Sequence, residues 1–132
     1  MDRRPEGVTK LRYRLADNPR DVNARVNLGI ALIEDGRPGE AIVEVEHALR
    51  VTPDSAPALN ALGGALLADG RVEPARAAFE RAIAIHPADP VAHLGLARAH
   101  LARGDRTAAR QQLPVLERLD PKIARMLEQE IP

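Results

Sequence analysis

The sequence predicts an all-α protein in which antiparallel helix pairs stack in one direction as a solenoid. A glycine recurs every 34 residues, at Gly36, Gly70 and Gly104. Prolines and alanines recur with the same period, which is typical of helical repeat arrays. Aromatic residues make up only 2% of the chain, so the core must be aliphatic, which favours closely packed helices. The repeated prolines and alanines are Pro53, Pro87 and Pro121; Ala24, Ala58 and Ala92; Ala31, Ala65 and Ala99; and Ala41, Ala75 and Ala109.

The composition limits the classes of function. The formal net charge is zero, so no global field attracts nucleic acid or an anionic membrane, and we expect neither as a partner. The absence of cysteine excludes disulfides, thiolate metal sites and thiol nucleophiles. Charge is uneven along the chain: residues 1–20 and 90–123 each carry +3, and residues 21–55 carry −4. These segments are either ordinary solvated helix faces or a polarised surface for a partner.

The first residues carry charges but lack the apolar stretch of a secretory signal. No run approaches the roughly 18 apolar residues that a membrane-spanning helix needs. The sequence therefore predicts a cytoplasmic protein with no membrane partner.

The first predicted helix covers residues 6–16, where Val8, Leu11 and Leu15 form one apolar stripe. In the 34-residue frame this stripe corresponds to the second helix of a repeat. We therefore interpret residues 1–21 as an N-terminal capping segment. The alternative is a helix that lies on a membrane surface, because Lys10, Arg12 and Arg14 are basic, but three apolar residues bury little area.

The first repeat is predicted over residues 22–55. Asp21 is a plausible N-cap for a helix over 22–34. Gly36 ends that helix, and Pro38 suits the start of a second helix over 38–51.

The second repeat is predicted over residues 56–89 and the third over residues 90–123. In the second, Asp54 or Ser55 caps a helix that ends near Ala68, and another helix covers 73–85. In the third, Asp89 followed by proline opens a helix that ends before Gly104, and its partner helix begins near Asp105.

Pro114 lies inside the last helix of the third repeat. An interior proline loses a hydrogen bond and clashes with the preceding turn, so we expect a kink or an early end near Leu113. Residues 124–132 are interpreted as a C-terminal cap. A closing helix over 122–130 is predicted to turn Ile123, Met126 and Leu127 inward.

The repeated alanines indicate places where helix backbones approach closely, since a larger side chain would overpack there. Each helix pair has an apolar face that it cannot bury alone. Stacking three pairs between caps would give one continuous core and one domain.

Over residues 22–123 the chain resembles the tetratricopeptide repeat (TPR) family. It departs from the family pattern where aromatic residues are usual: one such place holds Arg25, Leu59 and His93. The resemblance implies a right-handed superhelical solenoid of about eight helices, whose first helices line a concave groove. It also implies a protein–protein interaction module or adaptor with no cofactor. The residues of the second repeat that fit the family pattern are Leu62, Gly63, Leu66, Ala75, Phe79, Ala82 and Pro87.

Two apolar stripes run along the first helix of the first repeat. Leu28 and Leu32 would face the paired helix, while Val26, Ile30 and Ile33 form a second stripe at about 100° per residue. The core needs only one stripe, so the second predicts a binding surface. Carried through the repeats, the predicted groove consists of Asn23, Val26, Ile30, Ile33, Asn60, Gly64, Leu67, Val91, Leu94, Arg98 and Leu101.

This groove predicts a partner peptide or amphipathic helix whose apolar side chains enter it. Asn60 could hydrogen-bond a bound backbone, and Arg98 could pair with a carboxylate. Three alternatives stay open: the closing helix covers the stripe, a second copy covers it, as in a homo-oligomeric scaffold, or the surface is unused.

Some members of the family bind acidic chaperone tails through a clamp of lysine, asparagine and arginine. The matching places here hold Val26, Ile30, Ala61, Val91 and Gly95, so that clamp is absent.

The sequence offers little for catalysis, and we expect no enzyme. Ser55 is the only serine and lies at a predicted helix cap with no base beside it. His86, His93 and His100 are spaced by seven residues, but no carboxylate completes a ligand set near them. Packed or surface histidines are therefore favoured over a metal site, and a metal-dependent enzyme that uses His93 and His100 is the remote alternative.

Overall fold

The computed structural model describes residues 4–132, and their side chains from Gly7 onward. This part of the chain forms nine helices and no strand. The predicted all-α class is therefore confirmed. The helices are α1 Arg4–Asp17, α2 Val22–Glu34, α3 Pro38–Val51, α4 Ala56–Ala68, α5 Val72–Ile85, α6 Pro90–Ala102, α7 Arg106–Arg110, α8 Leu113–Leu119 and α9 Pro121–Glu130.

The helices pack as successive pairs. α2 packs on α3, α4 on α5, and α6 on α7 and α8, while α1 packs on α2 at one end and α9 packs on α6 and α8 at the other. The first helices of the pairs also contact one another, from α2 to α4 to α6. They therefore form one layer, and its free side is the place for the predicted groove. Residues 1–3 of the predicted N-terminal cap lie outside the described residues.

Three tight turns explain the periodic glycines. Gly36 has φ of 75°, and Gly70 and Gly104 each have φ of 80°, in the left-handed region that side chains with a Cβ disfavour. In the first turn the backbone N–H of Arg37 donates to the carbonyl oxygen of Leu32 at 2.8 Å, which closes the end of α2. The glycines recur every 34 residues because each helix pair has one tight turn that needs a residue with positive φ.

Side-chain caps fix where the first helices begin. A carboxylate oxygen of Asp21 accepts a hydrogen bond from the backbone N–H of Ala24 at 2.9 Å. Ser55, rather than Asp54, caps α4 by accepting from the N–H of Ala58 at 3.2 Å. Asp89 caps α6 in a similar way. Each cap satisfies an N–H group that a helix start leaves without a partner.

The core lies between the helix pairs and is almost wholly aliphatic. The repeated alanines Ala41, Ala75 and Ala109 have no exposed surface, so helices approach closely there as the sequence predicts. Val8 and Leu15 of α1 are also buried, which seals the first end of the stack.

Phe79 is the only phenylalanine, and two glycines make room for it. A Cβ on Gly63 of α4 would lie 2.6 Å from Cζ of the Phe79 ring, and a Cβ on Gly95 of α6 would overlap Cε1 of the same ring. The ring of α5 is therefore wedged between two first helices of successive pairs. It lies directly beneath the layer that carries the groove.

The third pair differs from the prediction at its second helix. That helix ends at Arg110, and a new helix, α8, begins at Leu113. Pro114 lies in the first turn of α8, where its missing N–H leaves no hydrogen bond unmade. The expected early end is confirmed, but the sequence did not predict α8 as a separate helix.

The closing helix α9 turns Leu127 fully inward and partly buries Ile123. Met126 is 46% exposed, so its predicted inward orientation is wrong. Ala124 and Leu127 fill the inner face of this helix, and Met126 lies on the neighbouring face, about 100° around the helix from Leu127.

Candidate binding groove

Two adjoining cavities of about 420 Å³ each lie along the layer of first helices. They share Ile33, Asn60, Gly64 and Val91, so they form one continuous groove that crosses α2, α4 and α6. We call the cavity between α2 and α4 the first cavity and the one between α4 and α6 the second cavity.

The first cavity is apolar and open. Val26 forms part of its floor, while Ile30 is 42% exposed and Val91 is 52% exposed. Large aliphatic side chains at this exposure, beside one another in a concave surface, are the usual marks of a contact site. The polar side chains at its edge belong to Asn27, Asn60 and Asp89.

The second cavity is lined by Leu67 and Leu94 and has the Phe79 ring beneath it. Arg98 of α6 provides its only cationic side chain among the described residues. The groove therefore runs from an edge with two amides and the Asp89 carboxylate in the first cavity to the Arg98 guanidinium in the second.

Nine of the predicted groove residues line one or both cavities. Asn23 and Leu101 line neither cavity. Asn23 is exposed, and Leu101 is partly buried against the hydrophobic cluster that contains Leu116 and Leu127. The nine are Val26, Ile30, Ile33, Asn60, Gly64, Leu67, Val91, Leu94 and Arg98.

Several lining residues were not predicted from the sequence. Asn27, Ala61 and Gly95 occupy the same place in their repeats, one residue after a predicted groove residue. The 34-residue frame could have identified all three together. Asp89 was assigned only a capping role, and Phe79 reaches the second cavity from α5, outside the layer of first helices.

Asn60 occupies a fixed position between the two cavities. Its Nδ2 donates to a carboxylate oxygen of Asp89 at 2.8 Å, and the other carboxylate oxygen accepts from the backbone N–H of Val91. Oδ1 of Asn60 is buried and has no partner. Nδ2 of Asn60 therefore already donates a hydrogen bond within the chain. The predicted role of Asn60 in binding a partner's backbone then rests chiefly on Oδ1, as an acceptor.

Arg98 does not stand free. Its Nε donates to one carboxylate oxygen of Glu130 at 2.8 Å, and an Nη donates to the other at 2.7 Å. These hydrogen bonds raise the pKa of the Arg98 guanidinium above its usual value and lower the pKa of the Glu130 carboxyl. Glu130 is thus ionised at neutral pH and occupies the carboxylate position that a partner was predicted to fill.

The closing helix leaves the groove open. No residue of α9 lines either cavity, and Glu130 reaches only the Arg98 side chain at the edge of the second cavity. Cover of the two cavities by the closing helix is therefore wrong, although Leu94 and Leu101 at the α6 end of the predicted stripe pack in the same cluster as Leu127 of α9.

Gly64 differs from the other glycines inside the first helices. Each of Gly29, Gly63 and Gly95 faces a side chain that a Cβ would overlap. A Cβ on Gly64 would meet only Cδ1 of Ile33, at an ordinary contact distance of 3.8 Å. Packing therefore does not require a glycine there, although glycine inside a helix is about 1 kcal/mol less favourable than alanine.

His93 is held in place by two polar contacts, whereas His47 and His86 are exposed and Nδ1 of His100 is buried without a hydrogen-bond partner. Nε2 of His93 donates to the carbonyl oxygen of Pro87 at 2.8 Å, and Nδ1 lies 2.9 Å from Oε1 of Gln112. Both ring nitrogens are therefore engaged, and neither is free to bind a metal. Among the side chains from Gly7 to Pro132, no three histidines or carboxylates are placed to hold an ion.

We expect His93→Phe to lower the free energy of unfolding by about 1–3 kcal/mol, because it leaves the Pro87 carbonyl and the Gln112 amide without a partner. Urea denaturation measures the change. His47→Phe, on an exposed face of α3, is the matched control and should be near neutral. Equal stability of His93→Phe and the unmodified protein would show that the two hydrogen bonds contribute nothing.

The stacked pairs, the glycine turns and the open layer of first helices define a helical repeat solenoid. Two family models, both described as tetratricopeptide repeat, match residues 22–47 and 66–129. The chain belongs to the tetratricopeptide repeat family. The predicted resemblance is therefore confirmed.

Solved structures of low sequence identity share this fold. A crystal structure of MamA is 23% identical with a TM-score of 0.76, over 92% of this chain and 76% of that one. A thermophilic TPR protein of Thermus thermophilus is 22% identical with a TM-score of 0.81, over 88% and 66% of the two chains. MamA from Desulfovibrio magneticus is 21% identical with a TM-score of 0.78, over 90% and 67%.

A search of curated proteins found no match. The structural similarities, at these identities, establish the fold alone. No helix within residues 4–132 is both long and apolar enough to cross a bilayer.

Proposed function

We propose that this protein is a non-catalytic interaction module that holds an apolar segment of a partner protein in the groove. The observation that carries the proposal is Gly64, which keeps the two cavities continuous without any packing reason for a glycine. We also propose the repeat units themselves as residues 22–55, 56–89 and 90–123, with residues 1–21 and 124–132 as caps.

The energetics of Gly64 support this role. A glycine inside a helix is less stable by about 1 kcal/mol than alanine, and nothing around Gly64 offsets that loss in the unbound protein. A side chain there would project between the two cavities, against Ile33. Its absence lets one continuous segment pass over α4 and contact Ile30 in the first cavity and Leu67 in the second.

The partner segment would bind chiefly through aliphatic contacts. Its apolar side chains would cover the exposed surfaces of Ile30 and Val91, at roughly 25 cal/mol for each Å² removed from water. A single short segment that buries less than about 1,200 Å² in total is expected to bind weakly, in the range of transient complexes. An adaptor that releases its partner readily would act at such an affinity.

Gly64→Leu provides the test. We expect the leucine side chain to fill the space between the two cavities and so to abolish binding. Because leucine is a better helix former than glycine, the free energy of unfolding should rise by up to about 1 kcal/mol. The probe is a displayed library of random peptides, each about a dozen residues long, selected on the unmodified protein. Affinities of the enriched peptides are then measured by calorimetry for both proteins, and urea denaturation measures their stability.

Gly39→Leu is the matched control. Gly39 lies in the first turn of α3, outside both cavities, and a Cβ there meets nothing within 4 Å. The same substitution should leave peptide affinity unchanged. If Gly64→Leu binds the enriched peptides as tightly as Gly39→Leu does, or if no peptide is enriched, the groove is not the binding surface. A homo-oligomer in sedimentation that Gly64→Leu dissociates would instead assign the groove to a second copy of the chain.

A further inference from the structure

The ion pair between Arg98 and Glu130 places a carboxylate of the chain's own last helix at the edge of the second cavity. Both carboxylate oxygens of Glu130 are bound by Arg98, so the guanidinium is used in the fork geometry that best fits a planar carboxylate. The two residues lie 32 positions apart, and the contact joins α9 to α6. The position that a partner's acid would take is therefore already defined by the chain itself.

This internal carboxylate is held only weakly. The side chain of Arg98 is 41% exposed and that of Glu130 is 35% exposed, and an ion pair at such a surface contributes little to stability. Glu130 is the last residue of α9, beyond the buried Ala124 and Leu127 that anchor the helix. Its side chain can rotate into solvent while the packing of α9 stays in place.

The charges around the groove leave no other position for an acid. Arg98 is the one cationic side chain that lines either cavity in the described part of the chain. The other charged lining residue is Asp89, whose carboxylate is already bound by Asn60 and by the N–H of Val91. A partner acid would be repelled beside Asp89 and attracted beside Arg98.

We propose that the partner segment carries a glutamate whose carboxylate replaces Glu130 on Arg98, so that Glu130 is an internal competitor for the partner. This rests on the proposed function and specifies the chemistry of its ligand: apolar side chains in the two cavities and one acidic side chain at the α9 edge of the second. The exchange conserves the ion pair, because Arg98 trades one carboxylate for another. Specificity then depends on the apolar contacts, and the acid sets the register of the segment.

The test uses the peptides enriched on the unmodified protein. We expect them to share a glutamate at a fixed distance from their apolar residues. Glu130→Gln removes the competing charge and should tighten these peptides about two- to fivefold, the range of an exposed ion pair. Arg98→Gln should weaken them. A peptide whose glutamate is replaced by glutamine should bind all three proteins with equal affinity.

Glu128→Gln is the control, because Glu128 is an exposed carboxylate on the same helix and should leave affinity unchanged. Hydrogen exchange of α9 verifies that Glu130→Gln leaves the helix docked. Enriched peptides that need an open Gly64 but share no acid would overturn this inference and leave the proposed function standing. So would a Glu130→Gln affinity equal to that of Glu128→Gln. If no enriched peptide depends on Gly64, both proposals fail.

Discussion

Gly95→Ala is expected to lower the free energy of unfolding by about 1–3 kcal/mol, although alanine is the better helix former. The added Cβ would overlap the ring of Phe79, and the ring cannot move away because Gly63 of α4 lies against it, with room for no side chain there either. Overpacking at this wedge forces the two first helices apart. Urea denaturation of the purified protein measures the loss.

The compensating variant is Phe79→Leu, which shortens the side chain that the new methyl group meets. In the Gly95→Ala background Phe79→Leu should cost less than it does alone, because the two substitutions share one contact. Gly64→Ala is the control with the opposite expected sign: its Cβ would meet only Cδ1 of Ile33 at an ordinary contact distance, so the substitution should stabilise the protein. If the losses in unfolding free energy from Gly95→Ala and Phe79→Leu were additive in the double variant, the Phe79 ring would not be packed between Gly63 and Gly95 as described.

Leu127→Ala is expected to lower the free energy of unfolding by about 2–5 kcal/mol. Leu127 has no exposed surface and packs with Leu94, Ala97 and Leu116 in the cluster that closes the C-terminal end of the stack. Truncating its side chain at Cβ leaves a cavity that short α8 and α9 are poorly able to fill. The loss should be local first, with early amide exchange in α8 and α9.

Met126→Ala separates this effect from a general weakness of α9. Met126 is the adjacent residue and nearly half of it is exposed, so its truncation should change stability much less than that of Leu127. Amide hydrogen exchange resolved by residue follows both variants. Equal protection of α9 in Leu127→Ala and Met126→Ala would contradict the assignment of Leu127 as the anchor of this helix.

Most of the fold was predictable because its signals are local in sequence. The first helices of the pairs begin at a capping side chain such as Asp21 or Ser55, and each tight turn has a glycine such as Gly36 at one position. The period then repeats these signals three times, so the helices of the first two pairs end close to where the sequence predicts. The apolar stripe of Val26 and Ile30 was predictable for the same reason.

The parts that were missed depend on distant contacts. Arg98 meets Glu130 across 32 residues, and Asn60 meets Asp89 across 29, and no local pattern indicates either pair. The adjacent Gly63 and Gly64 look alike in sequence, yet only Gly63 faces the Phe79 ring.

The predicted orientation of Met126 was wrong for a related reason. The short helix α9 packs on the rest of the stack through Ala124 and Leu127, and these contacts determine which of its faces is buried. A stripe inferred from three apolar residues cannot distinguish that face from the one beside it, because a helix of this length has few turns over which a period can be recognised.

The groove can be tested most directly by adding an enriched peptide to isotope-labelled protein and mapping the amide shifts by nuclear magnetic resonance. We expect the largest shifts on α2, α4 and α6, centred on Ile30, Gly64 and Val91. A further shift at Arg98 should accompany release of Glu130. Shifts concentrated on the outer helices α3 and α5, with α4 unaffected, would contradict the groove as the surface that binds the partner.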